Sequence, residues 1–143
     1  MRNPSYQRLR VGGRAQRKPS RGAAVVELAV CLPVMVLLVF GAIEATNVVY
    51  LKQTATTAAY EGVRLATATG GTESAARQRI DEVLATHAIS NATVTFNPSI
   101  GPTTRRGDNI SVSVTIPASE NITAVTRLFG EQSYAATITM VRQ

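Results

Sequence analysis

Residue types able to do chemistry are few and widely spaced in this chain. His87 is the only histidine and Cys31 the only cysteine. They lie far apart, so they supply no zinc ligand set, and no intramolecular disulfide exists to make. A Cys–His nucleophile pair has little support either, because Cys31 lies inside an apolar run. The acids Glu73, Asp81, Glu82, Asp108, Glu120 and Glu131 form no spaced pair in a Gly-rich setting. No phosphate-binding loop or nucleophile elbow accompanies them. The Asp81-Glu82 doublet reads as solvated helix surface. Arg106-Gly107-Asp108 spells a tripeptide known from adhesion ligands, but Gly-Asp in a loop is ordinary turn chemistry. The triplets at Asn91, Asn109 and Asn121 fit a glycosylation acceptor, which a Ser/Thr-rich stretch explains by chance. An enzyme, a cofactor and a metal site are therefore not expected.

Glu27 is different. It stands in RGAAVVELAVCLPVMVLLVFGAI, residues 21–43, and Leu28–Ile43 after it carry no charge. An ionisable residue in a membrane segment costs roughly 2.5–3.5 kcal/mol when central and less near an interface, and it usually has a partner. A cut between Gly22 and Ala23 would create one. The new α-amine, with a pKa of about 8, is mostly protonated at neutral pH, and Glu27 lies one helical turn away. The pair would form within one subunit, or between neighbours as a register device rather than a source of stability. The residues alone leave a second reading open, in which Glu27 stays wet at the headgroup boundary.

These residues need a helix to position them. Residues 23–43 would make one about 31 Å long, matching a hydrocarbon core of about 30 Å. Pro33 is expected to kink it or loosen one turn, which membrane helices tolerate. The net charge is +6 from 15 basic and nine acidic residues. Seven of the basic residues precede Gly22 without an acid, leaving eight against nine in the remainder. The basicity thus belongs to a leader, residues 1–22, that reads as disordered and cytoplasmic. Beside an apolar run, the positive-inside rule accounts for it better than nucleic-acid binding does. A cleaved secretory signal fits less well. Leu28–Ile43 is at the upper length for such a core, Glu44-Ala45-Thr46-Asn47 offers no good site, and Glu27 would be out of place.

Beyond the apolar run, the helix is expected to continue to Thr69. Ala55, Ala58, Ala59, Gly62 and Ala66 recur at i, i+3, i+4, i+7 and i+11 as one stripe of small residues. Such a stripe admits close approach. Packing on the chain's own domain is the first reading, as for most amphipathic stripes, and a subunit contact the second. Gly70-Gly71 should end this helix. Thr72 and Glu73 should start another, with Ala76, Ile80, Val83 and Leu84 on its apolar face and His87 at its end, touching the core.

Three strands follow from period-two alternation: Ala92–Phe96, Ile110–Ile116 and Tyr134–Met140. A loop over Asn97–Asp108 joins the first two. Ile122, Val125, Leu128 and Phe129 suggest a short helix before the third. The predicted fold class is α+β, with one long N-terminal helix, a shorter second one and a small antiparallel sheet of about three strands. The expected division is a leader at 1–22, a long helix at 23–69 that spans the membrane at 23–43, and an extracytoplasmic head at 70–143.

The stretch Gly22-Ala23-Ala24-Val25-Val26-Glu27-Leu28 resembles the processing motif of type IV pilin-like proteins, in which Gly precedes the cut and Glu is fifth in the mature chain. The text that follows resembles the TadE-like family, minor pilins or pseudopilins of the Tad pilus. The matching features are Glu27-Leu28, Leu32-Pro33, Phe40-Gly41 before Glu44, and Ala58-Ala59-Tyr60-Glu61-Gly62-Val63-Arg64. The clear likeness covers about residues 20–66. A looser one continues through Leu128-Phe129-Gly130 and Ala135–Met140. Family members often carry Arg where Tyr60 stands, so Tyr60 is given no role.

The resemblance implies that a prepilin peptidase in the bacterial inner membrane cuts between Gly22 and Ala23. The mature helix would then leave the bilayer for an adhesion pilus at the cell surface. Gly22 would serve recognition and Glu27 would pair with an N-terminal amine. The implied partners are the peptidase, the major pilin, other minor pilins and the assembly platform. The competing account is a permanently signal-anchored extracytoplasmic domain that binds or scaffolds without entering a filament.

Overall fold

The computed structural model describes residues 21–101, 104–121 and 132–143. Helix α1 runs Arg21–Thr67, and α2 runs Glu73–Thr86. They are followed by β1 (Thr93–Asn97), β2 (Asn109–Pro117), the short α3 (Ala118–Asn121) and β3 (Ser133–Val141). This is the α+β class expected from the alternation pattern. The short helix before the last strand is α3, while the expected helix over Ile122–Phe129 lies outside the described residues. Internal contacts divide the chain into two units, Met1–Val36 and Leu37–Gln143, with the boundary inside α1.

In the first unit α1 continues unbroken past Pro33. The side chains described there, from Gly22 onward, are all exposed. This stretch has no polar face to turn outward, and among the described residues of its unit nothing buries it.

The second unit has its own core. Strand β2 is central in an antiparallel sheet of order β1-β2-β3. Val112 pairs with Phe96 on one side and Ile138 on the other. Alternation then sorts the strand by face: Ile110, Val112, Val114 and Ile116 are fully buried, while Ser111, Ser113 and Thr115 point away. Val94, Phe96, Tyr134, Ile138 and Met140 pack around them from the flanking strands. Ala55, Ala58, Ala59, Val63 and Ala66 of α1 close this core with Ala76, Ile80, Val83 and Leu84 of α2.

The connections follow from local chemistry. The long helix stops at Thr67, two residues before the expected end, and the Thr67 hydroxyl donates to the Val63 carbonyl at 2.9 Å. Gly70 takes φ +78°. A Cβ at Gly71 would lie 2.1 Å from the Leu65 carbonyl oxygen, so only glycine fits. Thr72 caps α2 by accepting from the Ala75 amide at 3.3 Å, and Glu73 sits at the positive helix end. His87 caps the other end, and the chain leaves through Ala88 at φ +54°.

Arg77 ties α2 to the sheet. It grips Glu73 through two nitrogens at 2.9 and 3.1 Å and donates to the Val94 carbonyl at 3.2 Å. Its guanidinium also lies over the Phe96 ring, 4.9 Å from the centroid. In the β1–β2 loop, Gly107 takes φ +93° and Asp108 accepts from the Arg105 amide at 2.6 Å. Arg106-Gly107-Asp108 is thus a structural turn. Asn121 fastens α3: it accepts from the Ser90 amide at 2.7 Å and donates to the Ser90 and Pro117 carbonyls. That side chain is committed to the fold.

Candidate functional site

Gly22, Ala23 and Glu27 occupy the first two turns of α1. At 1.5 Å per residue, Ala23 and Glu27 are separated by about 6 Å along the axis, on one helix face. Helical side chains lean toward the N-terminus, so the Glu27 carboxylate leans toward Ala23. Glu27 is exposed, and among the described residues nothing pairs with it.

Among the described residues nothing accounts for the two distinctive residues here. A Cβ built on Gly22 meets nothing within 4 Å, and the backbone there is ordinary helix. Glu27 interrupts an otherwise apolar surface.

The surface around them is suited to lipid. Helix α1 is long and apolar enough to cross a membrane. Leu28–Ile43 contains ten Leu, Ile, Val and Phe residues. At about −0.3 to −0.6 kcal/mol each, they contribute roughly −3 to −6 kcal/mol toward insertion. That is comparable to or larger than the roughly 2.5–3.5 kcal/mol cost of one central ionisable residue, and Glu27 stands at the end of the run, where the cost is less. One charge is therefore tolerated without a partner but stabilised by one.

The small-residue stripe lies in the other unit and is turned inward. Ala55, Ala58, Ala59 and Ala66 have no exposed surface. Gly62 is the point of closest approach, where an added Cβ would lie 2.4 Å from Ile80 Cδ1 and 3.7 Å from Val112 Cγ1. The buried face also includes Leu51 and Thr54, 1% and 2% exposed. The same i, i+3, i+4 spacing extends to both, although one is large and the other polar. His87 sits at the α2 terminus with its Nδ1 3.0 Å from the Tyr50 hydroxyl. Among the described residues no group of three His, Cys, Asp or Glu side chains forms a metal site.

Residues 22–64 match the family model of TadE-like proteins. The match begins on Gly22 and ends on Arg64, so it takes in Glu27 and the stripe through Gly62. No curated protein and no solved structure matches the chain. The TadE-like match points to a Tad pilus-associated protein, and that family consists of pilus components rather than enzymes. One N-terminal apolar helix fits a single-pass membrane anchor in such a protein.

Proposed function

We propose that this chain, TadE-like over residues 22–64, is a minor pilin made as a membrane-anchored precursor. A prepilin peptidase removes residues 1–22, and the mature protein enters a Tad-type adhesion pilus or is required for its assembly. The observation that carries the reading is the pairing of Gly22 and Glu27. They stand five residues apart at the head of the exposed apolar first part of α1, and among the described residues nothing accounts for either.

The physical logic runs through charge. Before processing, the seven basic residues of the leader hold the N-terminus on the cytoplasmic side. Cleavage after Gly22 removes all seven and leaves a single α-amine at the helix start. Glu27 is then the complementary charge, either for its own amine or for that of an adjacent subunit. In a lipid-like filament interior, a buried carboxylate left unpaired costs several kcal/mol. Only stacking positions that bring an amine to Glu27 avoid that cost, which sets the axial register. Proposed partners are the peptidase, the major pilin, other minor pilins and the assembly platform.

Substituting Glu27→Ala in the native host tests the assembly role. Expected are normal membrane insertion, normal cleavage and at least a tenfold loss of piliation. Unchanged piliation and surface attachment would refute the register role. Glu27→Asp should retain part of the function, since it keeps the charge on a shorter arm.

A further inference from the structure

Three separate parts of the second unit meet around a cleft of about 300 Å³. The α1–α2 turn brings Gly70, Gly71 and Thr72, the loop after β1 brings Ile100 and Gly101, and the end of β3 brings Arg142. Glu73, the first residue of α2, completes the wall. The two glycines present bare backbone at the rim.

Arg142 is the unbalanced group of this cleft. A guanidinium keeps its charge and its five N–H donors at any ordinary pH. Among the described residues no carboxylate forms an ion pair with it. Its Nη1 is shut off from solvent and has no hydrogen-bond partner, the one buried side-chain nitrogen or oxygen left so among the described residues. Its Nη2 reaches the Gly71 carbonyl at 3.5 Å, beyond the usual range of about 2.7–3.2 Å. Buried polar groups are paired almost throughout folded proteins, and an orphan points to a missing water, ion or ligand. The acid in the wall does not serve. Glu73 holds the Arg77 fork through Oε1 and accepts from the Ile100 amide through Oε2 at 3.1 Å. The N-terminus of α2 adds positive potential at the same corner, and its first amides have no acceptor within the helix.

We infer that this cleft is a binding site for a small organic monocarboxylate, anchored by the Arg142 guanidinium. The unpaired charge of Arg142 calls for an anion, and its planar fork matches the two oxygens of a carboxylate. The long Gly71 contact holds that fork loosely, so a carboxylate entering the cleft can take both terminal nitrogens. Glu73 in the wall sets the charge of the ligand. One free guanidinium beside a carboxylate balances a single negative charge, not the −1.5 to −2 typical of a phosphate group. Ile100 supplies an apolar surface for a short carbon chain. The volume lies at the small end of ligand pockets, about 300–1,000 Å³, which suits a ligand of a few carbons.

The inference requires only a folded head, so it stands apart from the filament reading. The test titrates the full chain in detergent with sodium acetate, sodium butyrate and inorganic phosphate at constant ionic strength, read by calorimetry and by thermal unfolding. Expected is saturable one-to-one binding of both carboxylates, with a rise in Tm that saturates. Butyrate should bind about threefold or more tighter than acetate, through its two extra methylenes on Ile100. Arg142→Gln should weaken binding about tenfold or more. Arg142→Lys, which keeps the charge and loses the fork, should weaken it less. Arg106→Gln, outside the cleft, should leave it unchanged. Absence of saturable binding by either carboxylate to the unaltered chain would overturn the inference, as would binding that survives Arg142→Gln. Phosphate bound more tightly than butyrate would assign the guanidinium to a phosphate group and overturn it equally.

Discussion

Replacing Gly62 with alanine separates the two forces that act where α1 crosses α2. Helix propensity favours alanine over glycine by about 1 kcal/mol. Packing opposes it. The new methyl would lie 2.4 Å from Ile80 Cδ1 and 2.6 Å from Ile80 Cγ1, against ordinary carbon contacts of about 3.5–4.0 Å. Ile80 is completely buried, so its side chain has no open space to retreat into. Overpacking of this kind costs about 1–3 kcal/mol. The net expectation is destabilisation by up to about 2 kcal/mol, and the sign is opposite to the propensity rule. For a unit of about 100 residues, each kcal/mol lowers Tm by about 4–8 °C.

Thermal and urea unfolding of the full chain in detergent, followed by circular dichroism, would measure the change. Ile80→Val deletes the closer carbon at an intrinsic cost of about 0.5–1.5 kcal/mol. In that background Gly62→Ala should become clearly less harmful, with a coupling of about 1 kcal/mol. A Gly62→Ala variant more stable than the parent would refute the close-approach argument. So would additivity of the two substitutions within about 0.5 kcal/mol.

Other outcomes follow from the same geometry. Ala88 holds φ +54° just past α2, where a left-handed alanine costs roughly 1–2 kcal/mol. Ala88→Gly should therefore raise stability by about 0.5–1 kcal/mol after allowing for unfolded-state entropy, read as a higher urea midpoint with unchanged slope. Asn121→Ala breaks three hydrogen bonds and takes the Asn121 donor from the partly buried Pro117 carbonyl. It should lower stability by about 1–3 kcal/mol, and Asn121→Asp should rescue only the Ser90 amide contact. Arg77→Lys keeps the charge but loses the fork on Glu73 and the stacking on Phe96. Because the Arg77 side chain is 45% exposed, the expected loss is modest, about 0.5–1 kcal/mol by denaturant midpoint.

Much of this fold was legible in the sequence because β2 alternates so cleanly. Ile110, Val112, Val114 and Ile116 announce a strand with one buried face, and all four are buried. Gly70-Gly71 and Thr72-Glu73 likewise mark a helix end and a helix start by local chemistry alone. What remained hidden depends on tertiary placement. The Arg77 bridge requires β1 to lie beside α2, which no local pattern specifies. Ala88 and Asn91 take positive φ without the glycine that usually signals it. Asn121 reads as a glycosylation triplet in sequence and is a hydrogen-bonded fastener in space. Leu51 and Thr54 share the buried face, but one is large and the other polar, so a stripe of small apolar residues does not mark them.

The candidate site was legible for a different reason. Glu27 runs against local preference in an apolar run, and Gly22 stands five residues before it. The structure adds that nothing described in the chain compensates either residue. The Arg142 cleft was invisible in the linear text, since its walls come from the α1–α2 turn, the loop after β1 and the end of β3.

The central claim is most directly tested by the intact mass and N-terminal sequence of the protein isolated from its native cell envelope. The account predicts a chain that starts at Ala23, shorter by the 22 residues of the leader. A chain that retains Arg21 and Gly22 would contradict it, leaving a permanently anchored domain in place of a processed pilin.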